Sequence, residues 1–181
     1  MGARGFERNA FSGWTLDGRY FLRSSYPVTA LGNLFFDPVT GEHFYSGTDL
    51  IPGRPLYLYD KSLPGGRMLN GGPAVADGAF QLPEGSSQGD APRNIARGFN
   101  AQQLSLSLER DVHLHDQLFL QLRFDVFNVF NNPDFGYIEP NLTDQLFGQP
   151  VLSLNQSYGQ SGSLYQPGGP RSMQFMFRVR W

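Results

Sequence analysis

Four stretches of this chain alternate apolar and polar residues with a period of two, and that period belongs to a strand with one greasy and one wet face. The clearest is the last, RSMQFMFRVRW. Met173, Phe175, Phe177, Val179 and Trp181 fall on one side, and Ser172, Gln174, Arg178 and Arg180 on the other, with Met176 as the exception. In QQLSLSLERDV, Leu104, Leu106, Leu108 and Val112 oppose Gln103, Ser105, Ser107, Glu109 and Asp111. In LFLQLRFDVFN, Leu118, Leu120, Leu122, Phe124 and Val126 oppose Gln121, Arg123 and Asp125. GWTLDGRYFLRS is weaker, with Trp14, Leu16, Tyr20 and Leu22 opposite Thr15, Asp17, Arg19 and Arg23. Apolar residues at helical spacing are nearly absent. The pattern predicts an all-β, antiparallel fold with strands near 13–25, 102–112, 118–128 and 172–181. Each run is about the ~9 to 11 residues that a tilted strand needs to cross a bilayer.

The connections are unequal. Only HLHDQ separates the second run from the third, which reads as a hairpin turn. The segments 26–101 and 129–171 are long and irregular, rich in Pro and Gly, as in DPVTGEHF, IPGRPLYLYD and LPGGRMLNGG. Two architectures suit one-sided strands. A soluble β-sandwich needs about seven strands with turns every ~8 to 12 residues, whereas a transmembrane β-barrel pairs short turns on one side with long loops on the other. Four good strands and two long loops favour the barrel, because compact soluble domains rarely carry structureless loops of that length.

Composition removes other classes. The net charge is -2 and no Lys/Arg cluster is present, which argues against a nucleic-acid surface. The absence of Cys excludes disulfides and thiolate metal sites. The opening MGARGFERNAFSGW lacks the apolar centre of a signal peptide, and no apolar run approaches the ~18 residues of a membrane-spanning helix. Gly (22), Pro (13) and Phe (16) set against 17% charged residues fit aromatic strands joined by loops.

Several spaced motifs resemble the C-terminal part of a TonB-dependent receptor, in particular the group with an Oar-like barrel and a carboxypeptidase-regulatory-like N-terminal domain. They are ARGFNAQQLSLSLERDVHL, LQLRFDVFNVFNNPDFG, NLTDQLFGQP and the terminal GGPRSMQFMFRVRW, with IPGRPLYLYD resembling an extracellular loop of that family. The family pattern R-x-E-x-F-N-x-F-N-x-P-x-F-G is met by Arg123, Phe127, Asn128, Phe130, Asn131, Pro133, Phe135 and Gly136, with Asp125 in place of the usual Glu. The resemblance covers about Gly13 to Trp181 and implies a C-terminal fragment, since a signal peptide, plug and TonB-contacting segment would lie upstream. It also implies a bacterial outer-membrane location, no cofactor, and uptake of a scarce nutrient, either a siderophore or an oligosaccharide. The implied partners are outer-membrane lipid, the barrel-assembly machinery, TonB through the missing N-terminal part, and the small-molecule nutrient. Within it, Arg123 and Asp125 face the lumen, and Phe127 and Phe130 belong to an aromatic girdle. Met173, Phe175, Phe177, Val179 and Trp181 form the C-terminal signal read by the assembly machinery, with the HLHDQ turn and the C-terminus in the periplasm.

Catalytic chemistry finds no foothold. There is no G-x-S-x-G elbow, and GGRMLNGGPAVADG lacks the Lys and helix of a phosphate loop. His113 and His115 form a His-x-His pair with no evident third ligand, and His43 stands in a loop. Asp37, Glu42, Asp49 and Asp60 read as solvated loop charges, and the sequons at Asn141 and Asn155 carry little meaning in a bacterial outer membrane. Phe44, Tyr45, Tyr57 and Tyr59 are candidate ligand contacts in the first long loop. The alternative function is a soluble or surface-attached β-rich carbohydrate-binding module.

Overall fold

The computed structural model describes residues 12–85, 88–115, 117–157, 159 and 167–181. Its frame is one antiparallel sheet in the order β1 (Trp14–Arg23), β10 (Ala101–His115), β11 (Leu118–Phe127), β12 (Ser172–Arg180). β1 starts directly after Gly13, whose φ of 77° breaks the extended backbone, and β11 stops where Asn128 turns to φ 52°. β10 runs past the expected end at Val112 to His115, with a register shift between His113 and His115. Only two positions therefore separate the two strands, rather than the five of HLHDQ; Asp116 and the opening stretch 1–11 lie outside the described residues. β12 ends at Arg180, and Trp181 follows it, 88% exposed.

The register lines up residues of one kind. Leu16, Leu108, Phe124 and Phe175 form one cross-strand row, Gly18, Leu106, Val126 and Met173 the next, and Val112, Leu120 and Val179 another. The opposite face carries Asp17, Ser107, Asp125 and Gln174 in one row and Thr15, Glu109, Arg123 and Met176 in its neighbour. The apolar face is uncovered: Leu16 is 68% exposed, Phe175 68% and Phe177 72%. Burying one such side chain is worth ~1.5 to 3 kcal/mol, so a sheet meant for water would not leave a whole face open. No second sheet packs on it among the described residues, as a sandwich would require.

Burial occurs instead in the loops, which are not irregular as their composition suggested. Segment 26–100 folds into four two-stranded pairs: β2 (Pro27–Val28) with β9 (Ala96–Arg97), β3 (Leu34–Phe36) with β4 (His43–Tyr45), β5 (Asp49–Leu50) with β8 (Phe80–Gln81), and β6 (Tyr57–Tyr59) with β7 (Arg67–Leu69). The second loop contributes a single helical turn, α1 (Leu154–Ser157). The two loops share one core of Val28, Leu69, Phe80, Ile138, Leu142 and Phe147 with smaller neighbours. Backbone bonds lock them together: Leu31 N–H donates to Pro140 O at 2.8 Å, and Leu142 N–H to Leu31 O at 2.7 Å. Phe147 meets Phe80 edge-on at 5.8 Å. Beside it Gly148, at φ 75°, lies so close to Leu69 that a Cβ would come within 2.3 Å of its backbone N, so any side chain there would force the loops apart.

The Phe147→Ala change should cost the cap about 3 to 5 kcal/mol. Limited proteolysis of the protein in detergent is expected to cut both loops sooner in the variant, while the heat-dependent gel mobility of the barrel stays unchanged. Loops no more sensitive than wild type would show that they do not share a core.

Candidate functional site

The polar face is an ordered wall. Arg123 Nε donates to both carboxylate oxygens of Asp125, at 3.0 and 3.1 Å, and its Nη1 lies 3.6 Å from Glu109 Oε2. Glu109 also accepts from Gln121 Nε2 at 2.6 Å. Arg123 and Asp125 therefore sit together where the alternation placed them, with Asp125 7% exposed. Glu109 comes in from the neighbouring strand because the register sets it directly opposite Arg123. Met176 shares that row. Nearer the turn the face carries Asp111, Gln121 and Arg178, then His113, Phe119 and Arg180.

The joint between sheet and cap is built by the N-V-F-N-N-P-D-F-G run. Asn128 is 1% exposed and adopts φ 52°, a left-handed conformation that Asn tolerates better than most residues. Its Nδ2 donates to Asn132 O at 2.9 Å and to Gly169 O at 3.0 Å, and its Oδ1 accepts from Asn132 N–H at 3.1 Å. One amide thus ties both ends of the second loop to the top of β11. Asp134, also buried, accepts from Gln102 N–H at 2.9 Å through Oδ1, while its Oδ2 has no hydrogen-bond partner among the described residues. Gln103 Oε1 accepts from Gly168 N–H at 2.7 Å. Burial raises the Asp134 carboxyl above the ordinary range, and the Gln102 N–H and the nearby Arg23 oppose that rise in part. A cleft of about 630 Å³ opens beside this joint, lined by residues that include Asp134, Phe135, Leu152 and Pro170.

The loop aromatics do not converge on one site. Phe44 stacks on Phe35 at 5.8 Å across the β3–β4 hairpin, with Tyr45 opposite Leu34. Tyr57 and Tyr59 belong to the separate β6–β7 pair. The Tyr57 hydroxyl accepts from Arg97 N–H at 2.6 Å, and its ring lies 4.6 Å from the Arg67 guanidinium, which also covers Phe99 at 4.9 Å. Tyr57 is therefore a fastening of the cap; Tyr59, 74% exposed, remains free to meet solvent. The His113 ring lies tilted against Phe119 at 4.7 Å and the His43 ring tilted against Phe36 at 5.1 Å. Among the described residues no group of three or more His, Asp or Glu is placed to hold a metal.

A family model described as an outer membrane beta barrel domain matches residues 1–174. The chain belongs to the outer-membrane β-barrel family. Separate searches of curated proteins and of solved structures found no match. The protein resides in the bacterial outer membrane, and the soluble-module alternative falls with it. No helix among the described residues is long and apolar enough to cross a membrane; this barrel protein crosses with strands. In such barrels the apolar face meets lipid and the polar face lines the interior. Arg123 and Asp125 stand on the polar face, where a charge can stay hydrated or paired. Met173, Phe175, Phe177 and Val179 line the lipid side of the edge strand β12.

Two expectations need correction. Phe127 lies opposite Ser172 on the polar side and lines a small cleft with Arg19, Phe21 and Gln103, so it is not part of a lipid-facing girdle; Tyr20, 59% exposed in the apolar row above Gly18, takes that place. Nor do the faces of β10 separate fully. Arg110 lies opposite Trp14 and Leu122 in an apolar row, with its guanidinium 5.3 Å from the Trp14 ring centroid. Its even number, shared with Leu108 and Val112, was the available signal. Asn128, Asp134 and Gln103 were missed as joint residues because their partners lie up to 65 positions away.

Three substitutions probe the joint. Asn128→Gly keeps the backbone conformation and loses only the amide bonds, about 1 kcal/mol each. Asn128→Ala adds ~1 to 2 kcal/mol for the left-handed conformation, so proteolytic opening of the second loop should rank Ala above Gly above wild type. Asp134→Asn tests the buried charge. A carboxyl raised by folding favours the folded state most below its unfolded value, and that advantage is lost as pH rises through the folded value. The Asn variant should gain most in cap stability over wild type at pH 7 to 8 and lose that gain toward pH 4, as read by amide exchange at Gln102 and Leu154. The same difference at both ends of the range would rule out a buried charged Asp134.

Proposed function

We propose that this barrel protein is part of a TonB-dependent transporter that imports a scarce nutrient, a siderophore or an oligosaccharide. The observation that carries the reading is the cap. Two long loops fold around a shared core and are fastened to the strand tops through Asn128 and Asp134, far more structure than joining strands requires. Loops with a rigid frame are where binding residues are commonly presented. The motif run from Arg123 to Gly136 supports the same family, and an inner wall of paired charges suits a water-filled interior.

Four strands are too few to close a barrel, since single-chain barrels have about eight or more. We assign the strands that continue the sheet at β1 and β12 to the same polypeptide, giving a large barrel of ~22 strands with a plugged lumen. TonB acts through the plug, and the assembly machinery reads Met173, Phe175, Phe177, Val179 and Trp181. The work is binding and gating, with no covalent chemistry. Tyr59, Tyr45 and Phe44 present exposed rings and are the ligand contacts of this reading; Tyr57 supports them.

Uptake is measured in cells lacking the protein and in cells carrying it, with iron chelates and oligosaccharides as labelled substrates. Accumulation that depends on the protein should vanish when TonB is deleted or the proton-motive force is dissipated. Uptake that persists under both treatments identifies a passive channel and rejects the proposal.

A further inference from the structure

The cleft of about 630 Å³ beside the joint lies between the run 131–135 and the stretches 150–153 and 168–170 of the second loop, and its volume falls in the range of small-molecule sites. Asp134 is part of its lining. The residue is 5% exposed, its Oδ1 is taken by the Gln102 N–H, and its Oδ2 accepts no hydrogen bond among the described residues. Buried acceptors are rarely left without a donor. A ligand hydroxyl arriving from the cleft would supply one and break no bond of the joint.

The rest of the wall restricts the charge of such a ligand. Pro133, Pro150 and Pro170 have no N–H, and the amides of Asn132, Val151 and Gly168 already donate to Asn128, Tyr137 and Gln103. An anion therefore finds few donors and meets the Asp134 carboxyl. A cation meets Arg23, whose charge reaches Asp134 and which walls the adjoining cleft across Leu152. A neutral ligand rich in hydroxyls meets neither obstacle. Its C–H faces find apolar cover on Phe135, which packs on Phe99 at 5.0 Å, and on Leu152, 41% exposed.

We infer that this cleft binds one residue of a neutral sugar, a hydroxyl donating to Asp134 and the ring face lying on Phe135 and Leu152. The inference deepens the transport reading and rests on it for a nutrient bound at the cap: of the two nutrient classes it selects the oligosaccharide, and it adds contacts at the strand tops to those of the loop aromatics.

The full-length protein in detergent is titrated calorimetrically with hexasaccharides of glucose, xylose and mannose, and with the hexamers of glucosamine and galacturonate as cationic and anionic counterparts. At least one neutral hexamer should bind, and the charged ones should not. Asp134→Asn keeps an acceptor for Gln102 and sets an amide donor where the sugar hydroxyl donates. Affinity should therefore fall about tenfold, the loss of one strong buried hydrogen bond, in a variant whose cap is at least as stable as wild type at pH 7. Leu152→Trp, at an exposed position, should fill the mouth of the cleft and weaken binding as well. Binding by none of the neutral hexamers, or equal binding by a charged one, would overturn the inferred chemistry. Neutral binding that Tyr59→Ala removes and both cleft variants retain would put the sugar elsewhere and overturn the site. Transport fails separately: a hexamer bound with these variant effects but taken up without TonB supports the site and rejects the transport reading.

Discussion

The apolar face of the β1-β10-β11-β12 sheet has to leave water, and among the described residues nothing of this chain removes it. Leu16, Leu22, Phe175 and Phe177 are each about two-thirds exposed, while the apolar core cluster lies in the loops. Hydrocarbon resolves the conflict, and it constrains the rest. In lipid every backbone donor and acceptor must be satisfied within the sheet, so the strands must be long, regular and continuously paired, as the unbroken register from Trp14–Arg110 to Arg23–Ala101 is. The opposite face is freed for charge, and Arg123, Asp125, Glu109 and Gln121 use it.

The cap obeys the ordinary rule of a water-soluble domain, with Phe80, Phe147, Leu69 and Leu142 inside and charges such as Asp37 and Asp60 outside. Those two carboxyls are held below the usual range by turn bonds from Val39 and Ser62. One polypeptide thus solves two solvent problems. The boundary falls within a few residues of Gln102, Gln103 and Asn128, where the ladder ends and side-chain amides and a carboxylate take over the pairing of backbone groups. Polar side chains are needed there because the loop ends are buried without strand partners, and a buried unpaired amide is expensive.

How much was legible in the sequence follows from this division. The strands were readable because lipid on one side and a wet interior on the other impose a strict period of two, and Phe175 or Leu106 can be assigned a face by parity alone. Arg110 shares the parity of Leu108 but is charged, so residue type and parity disagree there and only the register with Trp14 and Leu122 settles its face. The cap was legible only as composition. Its pairs join residues as distant as Val28 and Ala96 or Leu31 and Asn141, and no local period announces them. Tyr57 looked like a ligand contact for the same reason: its bond to Arg97 spans 40 positions. Asn128 and Pro133 were visible as a turn, but the role of the Asn128 amide in holding Gly169 depends on where the second loop returns.

The joint also determines what movement the loops can have. The cap is fastened to β10 through Gln102 and Gln103, to β11 through Asn128 and Val129, whose N–H donates to Leu104 O at 2.8 Å, and back to the second loop through Asp134, whose carbonyl accepts from Leu154 N–H at 2.9 Å. These contacts sit on adjacent strands paired from Leu106 to His113. A rigid cap on a rigid hairpin can tilt only if the ladder above Leu104 opens or the Asn128 amide lets go. Of the two, the amide is the weaker: it offers three bonds at one residue, whereas the β10–β11 ladder is continuous from Leu106 to His113. The two loops are therefore held together at the strand tops by Gln102, Gln103, Asn128 and Val129.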